Sequence, residues 1–382
     1  MSEYQYYEFQ AIDRPLNGAA REALRELSTR ARITATSFTN AYEWGDFKGD
    51  PARLMEGWFD LHLYLANWGS RRLMIRLPKR LVDLSRLNGI LGEIDEVTVR
   101  VAGENLIFDI AREELEPGED WDDGSGWLAA LAPLRADLLA GDLRLCYLVW
   151  LMAVDAGEAA ADDLEPMPGI GPITGPLGAF ADFFGLDPDL VSAAAEGIAE
   201  AHAISSDTAR ETIASMTDRE KTEMLLRLHE GDLHLAAEWR AAVRGRMTSM
   251  AASPVAARTV GELLARAGAI RVARERTAAE RSAAERRRQA EEAEKARQVR
   301  LVAIAQRGEG VWRDVETEIA RGNASSYDKA AGLLRDLRAV ADERGMMPDF
   351  TKRLVSRRSD YDSLIEGEGE GEGEESAILA RA

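Results

Sequence analysis

Histidine is the residue type best suited to acid–base and metal chemistry near neutral pH, and this chain has four. His229 and His234 lie five residues apart in HEGDLH, with Gly231 between them. A zinc-binding helix places two histidines four residues apart on one face, so this spacing does not match. Glu230 and Asp232 keep a metal site open as an alternative, but we interpret the segment as a helix end followed by a solvated loop.

The other two histidines are His62 and His202. His62 stands between Leu61 and Leu63, and this apolar setting predicts a core histidine with satisfied hydrogen bonds. We therefore predict neither a metal site nor a cofactor on these residues.

Nucleotide-binding signatures are incomplete in this sequence. Gly169 and Gly171 in PGIGPITGPLG begin like a glycine-rich loop, but Thr174 occupies the position of the third glycine. The neighbouring prolines lack the N–H groups that would bind phosphate, and the sequence contains no GxxxxGK[ST] pattern. The segment 166–178 is therefore predicted to be a Pro/Gly-rich linker.

The sequence also lacks a complete motif for carboxylate-based metal binding or for a serine nucleophile. The acidic loop EELEPGEDWDDGSG lacks the alternating ligand spacing of a calcium-binding loop, and no GxSxG pattern occurs. We assign no catalytic residue and favour a non-enzymatic protein. The carboxylates considered in this loop are Glu119, Asp120, Asp122 and Asp123.

The most distinctive local stretch is YEWGDFKGDP, which places aromatic and charged residues around two glycines. Such residues on a loop favour partner recognition. The alternative is a structured turn, because Asp50 followed by Pro51 is a strong helix start. The residues predicted here to bind a partner are Trp44, Asp46, Phe47 and Lys48.

A second candidate contact is the basic strand RRLMIRLPKR, in an otherwise acidic domain. Its alternation puts Leu73, Ile75 and Leu77 on one face and the arginines Arg72 and Arg76 on the other. These two arginines are predicted to meet an acidic partner or phosphate. We favour the alternative interpretation, that they neutralise the domain's own carboxylates.

Charge is distributed unevenly along the chain, whose net charge is −19. Residues 1–165 carry −13, residues 166–254 carry −6, residues 255–313 carry +6 and residues 314–382 carry −6. The acidic total argues against a general nucleic-acid binder, since phosphates are repelled at long range. The basic block 255–313 leaves a local nucleic-acid contact as a lesser alternative.

That basic block contains a stretch without Gly or Pro, from Ala269 to Arg307, which predicts one long helix. A coiled coil needs large apolar residues at heptad positions a and d, yet the apolar residues between 273 and 296 are all alanine. We predict a solvent-exposed charged spacer, in a monomer or weak dimer. Its predicted contact with nucleic acid or an acidic surface is the arginine triplet Arg286, Arg287 and Arg288.

The fold class predicted is α+β, a small N-terminal mixed-sheet domain followed by a mainly α-helical region with one long charged helix. The N-terminal elements are expected in the order β-α-β-α-β-β-β, with Asn17 capping the first helix and a hairpin turning at Gly103–Asn105. The second helix is expected to run from Pro51 to about Ala66. Thr217 with Glu220 matches a capping box for a later helix.

The predicted domains follow shifts in composition. They are the α+β domain 1–125, a helical extension 126–165 packed on it, the linker 166–178, a helical domain 179–254, the long charged helix 255–307, a C-terminal helical hairpin 308–366 and a disordered acidic tail 367–382.

A cytoplasmic location without membrane contact is expected. The only cysteine, Cys146, lies in the apolar run RLCYLVW, which is typical of a buried thiol in a reducing compartment. The first residues lack the basic start and apolar core of a signal peptide. No apolar run reaches the ~20 residues that a membrane span needs.

The leading functional hypothesis is a non-catalytic cytoplasmic interaction or scaffold protein of a bacterial multi-protein system, with a protein partner. The first alternative is an enzyme whose site in the N-terminal domain gathers residues from the two candidate contacts, namely Asp46, Lys48, Asp50, Arg72 and Arg76. The second alternative is a nucleic-acid-linked accessory factor that uses the basic helix.

Overall fold

The computed structural model describes residues 3–92, 94–116, 121–196, 206–250 and 257–365, with side chains described except in 247–250 and 357–365. The chain divides into two compact units, Met1–Arg274 and Glu275–Ala382. A sheet near the N-terminus and a mostly helical remainder confirm the predicted α+β class. The predicted tail 367–382 and His202 lie outside the described residues.

The strands are β1 (Gln5–Gln10), β2 (Arg32–Ile33), β3 (Ser37–Tyr42), β4 (Leu61–Ala66), β5 (Arg71–Pro78), β6 (Val97–Ala102) and β7 (Asn105–Arg112). The described helices up to residue 250 are α1 (Gly18–Leu27), α2 (Pro51–Gly57), α3 (Leu84–Leu91), α4 (Trp127–Leu131), α5 (Pro133–Leu139), α6 (Arg144–Asp155), α7 (Gly175–Phe183), α8 (Pro188–Ala195), α9 (Ser206–Ser215), α10 (Asp218–His229) and α11 (Leu235–Met250). They are followed by α12 (Val260–Arg307), α13 (Glu309–Ala320), α14 (Ala324–Glu343) and α15 (Met347–Ile365).

The seven strands form one sheet in the order β2-β3-β1-β4-β5-β7-β6. Every strand pairing among the described residues is antiparallel, which corrects the prediction of a mixed sheet. The physical reason lies in the connections, because β2–β3, β4–β5 and β6–β7 each turn directly back on themselves. β1 then inserts between β3 and β4, antiparallel to both.

The helix starts predicted from the sequence are confirmed. The Asn17 side chain accepts a hydrogen bond from the Ala20 N–H at 2.8 Å, and the Asp50 side chain accepts one from the Ala52 N–H at 2.9 Å. The capping box of Thr217 and Glu220 is also present. These side chains satisfy backbone donors that the first turn of a helix leaves without partners.

The predicted helix 51–66 is wrong in its second half. α2 ends at Gly57, and the residues LHLYLA form the central strand β4 instead. Nearly all of β4 is buried, because the sheet is covered on both faces. Such a strand lacks the polar–apolar alternation of a half-exposed strand, so its apolar run fits a helix equally well.

Two apolar cores cover the two faces of the sheet. Leu73 and Ile75 of β5 lie in the first core with helices α3 to α8, whereas Met74 lies in the second core beside α1 and α2. The predicted alternation of β5 is therefore confirmed. In the first core, Cys146 of α6 is fully buried, and burial raises the pKa of its thiol to about 12.

The segment 166–178 differs from an irregular linker in two respects. Ile170 is fully buried, and its N–H donates to the Ala194 carbonyl at 3.0 Å. Gly175 begins α7, with Pro176 in its first turn, where a missing N–H costs nothing. The predicted domain boundaries otherwise remain a prediction, since the division observed falls within α12.

Helix α12 ends at Arg307 as predicted but begins at Val260, so it includes Gly261 and Gly268. Glycine costs only about 1 kcal/mol within a helix, and packing of Leu263 in the first core outweighs that cost. Just before α12, the Arg258 guanidinium makes two hydrogen bonds with the buried Glu165 carboxylate, at 3.0 and 2.9 Å.

Between residues 271 and 300, every side chain of α12 is exposed. In the second unit, Leu301 and Ile304 at its end pack in a third core with Trp312 of α13 and Leu334 of α14. α14 ends at Glu343, and Gly345 follows with a φ of +68°, a backbone conformation that glycine adopts readily at helix ends. Among the described residues, no helix combines the length and the apolar character that crossing a membrane requires.

The turn between β4 and β5 depends on Gly69. Its φ is +96°, and a Cβ at this position would lie 2.2 Å from the Leu115 carbonyl oxygen. The Leu115 N–H donates to the Gly69 carbonyl at 3.1 Å, so the chain after β7 is held against this turn.

We expect Gly69→Ala to lower the free energy of unfolding by about 3 kcal/mol, from backbone strain plus the overlap with Leu115. Gly103→Ala is the matched control, because Gly103 also has a positive φ but has open space at its Cβ position. The control should lose only about 1 kcal/mol. Urea unfolding of both variants measures the difference, and equal losses would contradict a role for the Leu115 contact.

Candidate functional site

The predicted contact loop 43–50 divides into an exposed and a buried part. Phe47 packs in the second core, with its ring centroid 5.1 Å from that of Tyr7 and 5.7 Å from that of Phe38. This corrects its assignment as a partner-binding residue, because burial under the sheet leaves it little surface. Trp44 is 77% exposed, and Lys48 is exposed as well.

Hydrogen bonds fasten this loop to the start of β1. The buried Gln5 side chain donates to the Asp46 carboxylate at 2.9 Å. Its carbonyl oxygen accepts from the hydroxyls of Tyr7 at 2.8 Å and Tyr64 at 3.3 Å. The position of Trp44 is therefore tied to the sheet.

The two predicted arginines of β5 are engaged within their own domain. Arg72 makes two hydrogen bonds with the Asp109 carboxylate, at 2.7 and 2.6 Å. Arg76 makes two with Asp60, at 3.1 and 2.8 Å. The alternative interpretation of these arginines, neutralisation of internal carboxylates, matches this geometry.

Asp60 is the centre of a buried ion cluster that the sequence did not reveal. Its side chain is fully buried, and Oδ2 accepts the N–H groups of Ile12 at 2.6 Å and Asp13 at 2.9 Å. Arg76 and Arg135 supply the opposite charges, at 2.8 and 3.5 Å from Oδ1. A buried carboxylate needs such complete pairing to remain ionised.

The cluster continues to a histidine from a distant part of the chain. Arg135 donates to Asp13 Oδ2 at 2.6 Å, and His234 Nε2 lies 3.1 Å from the same oxygen. Burial raises the pKa of Asp13, but the hydrogen bonds and charges of Arg135 and His234 outweigh it and leave that pKa below its usual value. His234 thus has a carboxylate partner 221 residues away in sequence.

Asp13, Arg76 and His234 of this cluster border a cleft of about 870 Å³. A His–Asp pair can move a proton at a substrate, but the described lining holds no serine, threonine, cysteine, tyrosine or lysine that could act as a nucleophile. The Asp13 carboxylate also accepts a hydrogen bond from Arg135. We interpret the cluster as a structural tie between the sheet, α5 and the turn before α11. Other residues in the lining are Arg14, Glu56, Trp58, Arg80, Asn105 and Asp232.

The residue set considered for an enzyme site is not gathered in the described clefts. Asp50 caps α2, Asp46 binds Gln5, and Arg72 pairs with Asp109 away from the cleft that Arg76 borders. The described residues contain no group of three or more His, Cys, Asp or Glu placed to hold a metal ion. In the acidic loop, Asp122 accepts from the Trp127 indole N–H at 2.8 Å, while Glu119 and Asp120 lie outside the described residues.

The arginine triplet of α12 is exposed, and its described contacts lie within the helix. Arg288 Nε lies 3.5 Å from a Glu292 carboxylate oxygen, and Arg286 Nε donates to the Ser282 carbonyl at 3.3 Å. Exposed pairs of this kind contribute only about 0.3–0.5 kcal/mol each. Arg287 completes the exposed triplet.

Three exposed tryptophans lie in loops at the same end of the sheet, and we call them the tryptophan surface: Trp44, Trp68 and Trp121. Trp44 follows β3, Trp68 lies in the β4–β5 turn and Trp121 lies in the chain after β7. They are 77%, 46% and 67% exposed, whereas the other five tryptophans of the chain are buried or half-buried. Only Trp44 was predicted as a contact, because the convergence depends on strand order.

Tyr4, directly before β1, joins the loops of this surface. Its N–H donates to the Asn67 side-chain oxygen and its carbonyl accepts the Asn67 N–H, both at 3.0 Å. Its hydroxyl donates to the Asp123 carbonyl at 2.9 Å, and its ring contacts Trp121 edge-on at 5.0 Å. One residue therefore links the β4–β5 turn to the chain after β7.

Several negative charges act on the Tyr4 hydroxyl. Burial raises the pKa of Tyr4, and the negative charges of Asp123, Asp122 and Glu43 raise it further. Carboxylates from the loop after β3 and from the chain after β7 therefore converge on the tryptophan surface.

Comparison of this chain with protein families, with curated proteins and with solved structures finds no match. Its function must therefore be inferred from the residues themselves.

We expect Asp60→Asn to lower the free energy of unfolding by about 3–5 kcal/mol, because it leaves the buried Arg76 guanidinium without its carboxylate and removes one of the two carboxylates beside Arg135. Asp50→Asn is the control, since asparagine caps a helix as well as aspartate does, and it should change stability by less than about 0.5 kcal/mol. Chemical unfolding of both variants measures this. A small loss at Asp60 would show that Asp13 alone neutralises the cluster.

The buried His62 should make the stability of the fold depend on pH. It is fully buried, stacked on Phe9 at 3.9 Å, with Nδ1 3.0 Å from the Glu8 carbonyl, and burial lowers its pKa to about 3. The His62 side chain takes up a proton near pH 6.5 in the unfolded chain but not in the folded chain. The free energy of unfolding should therefore fall by about 1.4 kcal/mol for each unit that the pH is lowered from 6.5 towards 3.

His62→Gln removes this titration while keeping a side-chain donor. Between pH 6.5 and the onset of carboxylate titration, the unfolding free energy of this variant should then change with pH by about 1.4 kcal/mol per unit less than that of the parent chain. A variant with the same slope as the parent chain would show that His62 is protonated in the fold.

Proposed function

We propose that this protein is a non-catalytic interaction protein whose partner binds at the tryptophan surface. The observation that supports it is the exposure of Trp44, Trp68 and Trp121 together at one end of the sheet. Tryptophan is among the residue types most enriched at the energetic centres of protein interfaces. Loops held on a rigid sheet also suit recognition, because little conformational entropy is lost on binding.

The same surface is built to be stable without a ligand. Gln5, Tyr4 and Gly69 tie its three loops to β1 and to each other. A partner would therefore meet indole rings that are already placed, which lowers the cost of ordering them.

A non-catalytic role is supported by the way the candidate catalytic groups are used. Asp60, Arg76, Asp13 and His234 are engaged with each other, and the described lining of the cleft beside them holds no serine, threonine, cysteine, tyrosine or lysine. α12 connects the two units covalently and exposes its middle, which suits an adaptor. We also propose a cytoplasmic location, supported by the single buried thiol Cys146.

We expect the triple variant W44A/W68A/W121A to lose its partner while keeping its fold. Full-length protein and variant are used to capture partners from the native cell, and the captured proteins are quantified by mass spectrometry. A stoichiometric partner should fall at least about ten-fold, since truncating an interface tryptophan commonly costs more than about 1–2 kcal/mol.

The matched control removes three exposed apolar side chains elsewhere in the first unit, in V101A/L225A/V272A. It should retain the partner. Equal capture by the tryptophan variant and the parent chain, with both folded by circular dichroism, would overturn the proposal.

A further inference from the structure

We infer that the tryptophan surface binds an arginine- and lysine-rich segment of a partner polypeptide. The inference rests on the proposed function and specifies the chemistry of its partner. It combines two observations at the same end of the sheet: exposed indole faces and an excess of carboxylates.

The described loops at this end carry negative charge only. Residues 43–46, 67–70, 113–116 and 121–126 contain seven carboxylates and no lysine or arginine. Tyr4 links Asp123 to Trp121, because its hydroxyl donates to the Asp123 carbonyl at 2.9 Å and its ring lies 5.0 Å from the Trp121 ring. The seven are Glu43, Asp46, Glu113, Glu114, Glu116, Asp122 and Asp123.

The nearest basic residues in sequence offset only part of this charge, since the charge of Asp122 acts on Arg71 and that of Glu113 acts on Arg72. Arg71 donates to the Ala66 carbonyl at 2.9 Å and lies over the Phe183 ring at 5.7 Å, so it is used within the domain. Lys48 is exposed two residues beyond Asp46 and adds a single positive charge against the seven.

Indole rings and carboxylates on one surface together favour the binding of a cationic ligand. A guanidinium or ammonium group is attracted to the face of an indole ring, and guanidinium also binds carboxylate with two parallel hydrogen bonds. The three tryptophans come from three separate loops, so a ligand that contacts all of them must carry several cationic groups along its length. A basic polypeptide segment has this form, whereas a small cation does not.

A second copy of this chain is a weaker occupant. The obvious donor would be the exposed part of α12, but residues 275–300 contain eight basic and six acidic residues. Several are paired within the helix, as in Arg276–Glu280 at 2.9 Å and Arg297–Glu294 at 3.4 Å. Its net charge of +2 over 26 residues offers little attraction to the acidic surface.

The test uses the full-length protein and a fluorescein-labelled peptide of six Arg-Ala repeats, with a Glu-Ala peptide of the same length as control. Fluorescence anisotropy should show binding of the Arg-Ala peptide alone, weakening as salt rises. W44A/W68A/W121A should abolish it. E43Q/D123N should weaken it about ten-fold, and the amide oxygen that D123N introduces can still accept the Ser125 hydrogen bonds that Asp123 accepts now.

The charge-matched control is E22Q/E26Q, which removes two exposed carboxylates from α1. It should leave peptide affinity within about two-fold, because neither residue belongs to the loops that carry the three tryptophans and exposed charges are screened by salt. If E22Q/E26Q and E43Q/D123N weaken binding equally, the attraction comes from net charge alone and the inference is overturned.

Failure of this inference is distinguishable from failure of the proposed function. If W44A/W68A/W121A loses the cellular partner but E43Q/D123N keeps it, the surface binds a partner that is not cationic. If analytical ultracentrifugation shows self-association that R286A/R287A/R288A abolishes, a second copy is the occupant and the inference is again overturned. If neither the peptide nor a cellular partner depends on the tryptophans, both proposals fail.

Discussion

Burial of both faces of the sheet is the constraint from which most of the first unit follows. An antiparallel sheet often leaves one face to solvent, but here β4 and β5 lie between two apolar cores. Any polar group on these strands must therefore find its partner inside the protein. Asp60 does so through two arginines and two backbone N–H groups. His62 does so only at Nδ1, which lies 3.0 Å from the Glu8 carbonyl, whereas its buried Nε2 has no hydrogen-bond partner among the described residues, so the predicted full satisfaction of this histidine is wrong at one nitrogen.

The same constraint explains which parts of the fold could be predicted from the sequence. Local signals were reliable: the Asn17 and Asp50 caps, the alternation in β5 and the end of α12 at Arg307 each depend on a few neighbouring residues. β4 was predicted as helix because a strand covered on both sides is apolar at almost every position, so its period is hidden. The helix begins at Val260, between the predicted domain start at residue 255 and the Gly-free stretch from Ala269, since tertiary packing overrides the cost of Gly261 and Gly268.

The candidate sites depend on contacts between residues far apart in sequence, which local sequence patterns do not predict. Asp13 and His234 form one pair although 221 residues separate them, and no spacing rule covers that interval. The tryptophan surface exists because β1 enters the sheet between β3 and β4, which brings the ends of distant strands together around Tyr4. Phe47 and Trp44 stand in the same loop with similar side chains, and only the second core decides that Phe47 is buried while Trp44 is exposed.

Cys146 has a practical consequence for studying this molecule. As the only thiol of the chain, fully buried on α6 and hard to ionise, it is protected from alkylation and oxidation while the first core is closed. Each modification event therefore counts an opening of that core. The rate of thiol labelling in native buffer therefore measures how often the core around α6 opens, and no engineered probe is needed.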